Sequence, residues 1–207
     1  DLGSAVDSPV LAGVALGFCK PEQLMSRDGI KAGDPIYCTG TFGLTGLAFA
    51  NLYRNVHLPK ELERKAIWKA LEPKARVREG LLLGKTAAVT GSIDSSDGLA
   101  LSLHWLAEGS KVGIELHELP IDSSVQAFCR SQSIDPLPFT LYGGEEFELV
   151  VALDQERSEQ ICKALKENGV DLIEIGHATN RKGVIKLAED PSYSIEKRGW
   201  DSHRGFI

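Results

Sequence analysis

"GSIDSSDGLA", residues 91–100, crowds two aspartates and two serines into positions 94–97. Upstream, "AAVTGSI" (87–93) reads as a strand; downstream, Leu99, Leu103 and Leu106 fall on one stripe of a helix over 96–110. The four polar residues therefore occupy a strand-to-helix junction, where two readings compete. In one, Ser95 or Ser96 caps the helix and Asp97 enters its first turn, near the positive end of the helix dipole. In the other, two carboxylates three positions apart hold a divalent cation while a hydroxyl and the helix terminus face a phosphate. Those are the parts of a phosphoryl-transfer site. Capping needs only one of the four residues, so both readings stand at this point. A calcium loop of the EF-hand type is excluded. Counted from Asp94, position 5 is Gly98 and position 12 is Trp105, where oxygen ligands are required.

On either side of this junction the chain alternates. A strand at 36–39 precedes helical spacing over 44–55, 59–71 and 74–87; in the second of these Leu62, Ala66, Ile67, Ala70 and Leu71 form the stripe. Beyond residue 111 the pattern gives strand 112–117, helix 121–132, strand 146–152, helix 155–168 and strands 172–177, 183–188 and 193–196. Strands and helices without strict βαβ repetition indicate an α+β fold, a mixed or antiparallel sheet covered by helices on one face. Residues 21–207 read as one such domain. "PVLAGVALGFCK" (9–20) reads as a strand buried on both faces, so residues 1–20 are expected to be the end of a preceding domain or an interdomain strand. A chain that starts at Asp1 and enters such a strand at once reads as the later portion of a longer protein.

Composition narrows the function. Apolar residues make up 43% and charged residues 25%, enough to bury a proper core. A net charge of −6 argues against a nucleic-acid surface, which needs a basic face, but leaves a metal-bridged nucleotide open. No apolar run reaches the length of a membrane helix, and the start lacks the basic and apolar blocks of a signal peptide. Cys19, Cys38, Cys129 and Cys162 are scattered without a C-x-x-C, as in a cytoplasmic protein with reduced thiols and no zinc site.

Four further stretches bear on chemistry. In "LYGGEEFELVV" (141–151), Gly143 and Gly144 permit unusual backbone, and Glu145, Glu146 and Glu148 precede an apolar strand. They are either solvated acids after a turn, or include a carboxylate, Glu145, aimed at a substrate amine; strand alternation would put Glu146 and Glu148 on a shared face. Arg27 is a surface residue or a fork for phosphate oxygens. "CTGTFGLTG" (38–46) lacks the lysine of a phosphate loop, and Gly46 within the helix reads as a site of close packing. "KRGWDSHRGF" (197–206) offers Trp200 as a packing anchor or a stacking platform.

In this order, "SRDGIKAGDPIYCTGTFG", "PKARVREGLLL", "SIDSSDGLALSL", "LYGGEEFEL", "IEIGHAT" and "GWDSH" resemble the thiamine-monophosphate kinases. That family belongs to the aminoimidazole ribonucleotide synthetase-like superfamily. The resemblance implies that this chain is the C-terminal domain of that fold and that Asp1 ends the G-G-D motif of an N-terminal ATP-binding domain, through which a homodimer would form. It implies transfer of a phosphoryl group from ATP to thiamine monophosphate with several Mg²⁺ ions and no general base. Asp1, Asp94 and Asp97 would ligate Mg²⁺; Asp1, Arg27 and Ser96 would contact ATP; Glu145 and Trp200 would bind the thiamine moiety. These residues alone would be inactive. Glu146 stands where the family usually has aspartate and Phe147 where it has tyrosine. The stretch after Asp1 departs from the family pattern and leaves Asp7 unassigned.

Overall fold

The computed structural model describes residues 13–183, 185–188, 190, 193–201 and 205–206, with the backbone alone at Trp200, Asp201, Gly205 and Phe206. In chain order its elements begin with β1 (Pro35–Cys38), α1 (Leu44–Tyr53), α2 (Lys60–Leu71), α3 (Val77–Thr86), β2 (Val89–Asp94) and α4 (Leu99–Ser110). There follow β3 (Gly113–Leu116), α5 (Ser123–Gln132), α6 (Leu137–Tyr142), β4 (Leu149–Leu153), α7 (Ser158–Glu167), β5 (Ile173–Thr179) and β6 (Ile185–Leu187). A ribbon of β7 (Trp200–Asp201) and β8 (Gly205–Phe206) ends the described chain.

Six strands form one sheet in the order β2-β4-β1-β5-β3-β6, antiparallel throughout except for the parallel pair β3–β6. The fold is thus the mixed α+β sheet expected. β1 and β4 have strands on both sides, and their unbroken apolar runs, "PIYC" and "LVVAL", follow from burial on both faces. Alternate residues divide between two cores. Ile36, Cys38, Val150 and Ala152 pack with Leu99, Leu103 and Leu106 of α4; Tyr37, Val151 and Leu153 pack with Leu83 of α3 and Ile161 and Leu165 of α7. Helices therefore cover both faces, which corrects the one-faced arrangement read from the sequence. A third cluster joins α1, α2 and α5 through Leu47, Ala66, Val125 and Phe128.

Other expectations also change. Residues 13–20 form no strand and are exposed, while the rest of the proposed 9–20 strand lies outside the described residues. Leu71, placed on the buried stripe of α2 by its spacing, is exposed. Of the strand proposed at 193–196 only a bridge from Ser194 to Lys186 forms. β4 starts at Leu149, so Glu146 and Glu148 precede the strand. The six-residue α6, in "PLPFTLY", has no expected counterpart, because two prolines within three positions read as a loop.

Candidate active site

β2 is an edge strand, paired with β4 so that its last residue, Asp94, lies opposite Leu149. The pairing continues beyond both strands. Ser95 N–H donates to the Glu148 carbonyl at 2.9 Å, Phe147 N–H to the Ser95 carbonyl at 3.0 Å, and Glu145 N–H to the Ser96 carbonyl at 2.6 Å. The two polar clusters of the sequence are therefore one structural unit, residues 94–97 lying alongside 145–148.

Gly98 then turns the chain into α4. Its φ of 110° suits glycine, and a Cβ there would stand 3.0 Å from the Leu141 carbonyl oxygen. Gly98 is itself the N-cap and no side chain caps the helix. This corrects the capping reading of Ser95 and Ser96, and Asp97 precedes the helix rather than entering its first turn. Ser96 Oγ instead donates to Asp97 Oδ2 at 3.2 Å. Ser95 is fully buried, and its hydroxyl has no hydrogen-bond partner among the described residues. The junction is thus polar for some purpose other than ending a helix.

The acids after Gly144 are not solvated, contrary to one of the two readings. Glu146 and Glu148 are each 1% exposed, whereas Glu145 between them and the glycines is half-buried. Glu148 accepts from Thr39 Oγ1 at 2.9 Å, Lys69 Nζ at 2.8 Å, and Arg76 through Nε at 2.5 Å and Nη2 at 2.7 Å. Arg76 Nη1 also donates to Glu79 at 3.0 Å. Burial alone would push the Glu148 carboxyl up, but the bonds from Arg76 and Lys69 outweigh it and hold the group below the usual carboxylate range. Glu146 is the opposite case. Its Oε1 accepts from Gly43 N–H at 2.9 Å, at the start of α1, while Oε2 has no partner among the described residues. Burial pushes its carboxyl up to about 7, against the opposing influence of Thr45, the Gly43 N–H and Lys69.

The structure brings Asp94, Ser96, Asp97 and Glu145 together at one end of α4. Gly199 joins them, because a Cβ there would overlap the Asp97 carbonyl; this seats the start of the β7–β8 ribbon on the loop. The side chain of Trp200 lies outside the described residues, as do Asp1 and Asp7. Arg27 is elsewhere: its guanidinium lies 5.8 Å from the Trp105 ring centre, and its carbonyl accepts from Ser110 Oγ at the far end of α4. Twelve helical residues put the two ends about 18 Å apart. The sequence reading missed Arg76 and Lys69 as the partners of Glu148. Their only signal was an arginine in "PKARVREG".

The donor set suits magnesium. Asp94 is exposed and Asp97 half-buried, neither carboxylate enters an ion pair among the described residues, and hard cations take such oxygens. Among the described residues no three His, Cys, Asp or Glu side chains gather closely enough to hold an ion, so a complete site needs further ligands.

Residues 31–187 match the family model described as AIR synthase related protein, C-terminal domain. A curated thiamine-monophosphate kinase of Nitrosopumilus maritimus (strain SCM1) is 33% identical over 187 residues, covering 90% of this chain and 59% of that protein. The crystal structure of a thiamine monophosphate kinase from Aquifex aeolicus superposes with a TM-score of 0.65 at 26% identity, covering 81% of this chain and 54% of that one. A structure described as AaThiL complexed with AMPPCP and TMP gives 0.66 at 26% identity, covering 80% and 51%. The chain thus spans a little over half the length of the proteins it matches. Among the described residues no helix is long and apolar enough to cross a membrane.

Proposed function

This chain belongs to the AIR synthase related protein family as its C-terminal domain, and on that premise we propose that it is part of an enzyme that transfers the γ-phosphoryl group of ATP to thiamine monophosphate, giving thiamine diphosphate and ADP. The observation that carries the reading is the pairing of loop 94–97 with loop 145–148, which gathers uncapped carboxylates, a hydroxyl and Glu145 at one end of α4. Relatives of matching sequence bear the kinase name, and one solved relative carries AMPPCP and TMP.

In this reading Asp94 and Asp97, with Asp1, would hold Mg²⁺, which when bound would neutralise charge on the transferring phosphoryl group. Ser96 and, from the opposite end of α4, Arg27 contact ATP. Glu145 would accept a hydrogen bond from the amine of the substrate's pyrimidine, and Trp200 would stack near the thiamine moiety. The acceptor phosphate oxygen is already a nucleophile at neutral pH, so no side chain need take a proton. Positioning and charge neutralisation carry the catalysis. The grip on ATP and the homodimer would belong to the part of the family's relatives that this chain does not cover.

The test is an assay of the intact protein with ATP, Mg²⁺ and thiamine monophosphate, read as thiamine diphosphate formed. Failure to form it overturns the proposal. ATP turnover stimulated by selenide or a carbamoylated peptide would assign a different acceptor, and absence of Mg²⁺-dependent nucleotide binding would make the domain non-catalytic.

A further inference from the structure

Arg76 and Asp94 line the same slot, a cavity of about 330 Å³ otherwise walled by Pro73, Ala75, Phe147 and Leu149. A guanidinium and an exposed carboxylate so placed are natural partners. Among the described residues they form no ion pair. The nitrogens of Arg76 are committed elsewhere. Nε and Nη2 donate to the two oxygens of Glu148 at 2.5 and 2.7 Å, and Nη1 donates to Glu79 at 3.0 Å.

Glu148 is the centre of this arrangement. Its carboxylate also accepts from Lys69 Nζ at 2.8 Å and Thr39 Oγ1 at 2.9 Å. A Cβ at Gly40 would stand 2.7 Å from both Arg76 Nη2 and Glu148 Oε2, so the absence of a side chain there makes room for the pair. Lys69 and Arg76 meet Glu148 and Glu79, and the charges inside the cluster balance; the exposed Lys74 lies at its rim, 3.7 Å from Glu79. The Glu148 carbonyl meanwhile accepts from the Ser95 N–H at 2.9 Å, one residue after Asp94. Glu148 therefore touches both the base on the slot and the strand end that carries the acid. A buried ion pair rarely adds stability over apolar residues of the same volume, so the cluster calls for another purpose.

We propose that Glu148 is a positioning residue: it holds the Arg76 guanidinium off Asp94 and so keeps the Asp94 carboxylate open to a divalent cation. The proposal rests on the function proposed above, in which Asp94 ligates Mg²⁺. Without Glu148, Arg76 keeps only Glu79, and the acid that shares its slot is Asp94. An arginine paired there competes with the cation, because both take the same carboxylate oxygens.

The test follows Mn²⁺ binding to the intact protein by electron-spin resonance, since Mn²⁺ takes the same kind of oxygen ligands as Mg²⁺. The relevant site is the one that Asp94→Asn removes. Glu148→Gln should weaken that site about fivefold, the scale of a half-exposed ion pair that the cation must break. Combining Glu148→Gln with Arg76→Gln should bring it back to within about twofold of the wild type, although more of the cluster has been lost. A merely structural role predicts the opposite order, with the double variant binding no better than the single one. If Glu148→Gln fails to fold, Glu79→Gln, which strips Arg76 of its other partner, should weaken the site in the same direction, and Arg76→Gln should again cancel the loss. Unchanged affinity in the single variant, or no recovery in the double one, overturns the proposal. If the wild type forms no thiamine diphosphate but binds Mn²⁺ through Asp94, the proposed acceptor has failed and the same comparison decides the role of Glu148. A wild type that binds no Mn²⁺ through Asp94 overturns the proposal outright, because there is then no cation to keep that carboxylate open for.

Discussion

The Glu145 N–H reaches the Ser96 carbonyl across 2.6 Å, so the acid after the double glycine and the serine between the paired aspartates are held by a single backbone contact. Because β2 is an edge strand, its terminal loop has β4 and the loop before it on one side and no strand on the other. Asp94 ends that strand exposed; Ser95 after it is buried, and Ser96 and Asp97 are half-buried. A sheet edge that would otherwise stop at Asp94 is thereby extended into a polar shelf with α4 behind it.

Replacing Asp97 by Asn keeps an acceptor for Ser96 Oγ and removes only the charge. If that charge helps to hold a cation against the transferring phosphate, turnover of the intact enzyme should fall at least ~100-fold, the scale of one lost transition-state contact. The urea midpoint should stay unchanged, since Asp97 makes no ion pair among the described residues. Near-normal turnover would remove Asp97 from the metal site.

Gly143 should not tolerate a methyl group. A Cβ there would meet the Phe139 carbonyl oxygen at 2.6 Å and the Gly46 Cα and N at 3.0 Å, all of them backbone atoms of α6 and α1. Gly143→Ala should cost about 2 kcal/mol in urea unfolding, as other overpacked sites do. Gly17→Ala, where nothing lies within 4 Å, should be neutral by comparison.

How far the site could be read from the sequence depended on where the partners lie. The junction at 94–97 was legible because a strand period ends and a helical period begins on either side of it. The role of Gly46 was legible as close packing, and the structure puts α6 against it. The cap was not legible, because Ser, Asp and Gly all stood in the right window and only the φ of Gly98 decides among them. Glu148 looked solvated because its cations, Lys69 and Arg76, come from 79 and 72 residues earlier in the chain. Spacing along a chain reports which face a side chain takes within one element; it carries no information about a charge delivered by another.

Glu148→Gln should therefore be costly. It leaves Lys69, largely buried, without its counter-charge and Arg76 with Glu79 alone, and breaking such a pair typically costs about 3–5 kcal/mol. The folded carboxyl sits below its ordinary value of 4.5, so its contribution is present above that value and is lost as pH falls through the lower folded one. Urea unfolding from pH 7 to pH 3 should show the wild type's advantage over Glu148→Gln shrinking below about pH 4.5. An advantage that did not change with pH would mean that shape rather than charge carries the interaction.

For Glu146 the sign reverses. Its folded carboxyl is pushed up to about 7 from an ordinary 4.5, so folding favours the protonated form. The associated stability is fully present below pH 4.5, declines as pH rises, and is gone above about pH 7. A fully developed shift of that size corresponds to roughly 3 kcal/mol. Glutamine has the same shape and no charge to bury. Its oxygen can keep the bond from Gly43 N–H, and its amide can donate to the neighbouring Thr45 Oγ1. Glu146→Gln should therefore be more stable than the wild type by about 2 kcal/mol in urea unfolding at pH 8 and nearly equal to it at pH 4.5. A variant less stable than the wild type at pH 8 would show that the Glu146 carboxylate is ionised and favourably held, and that Oε2 has a partner in solution.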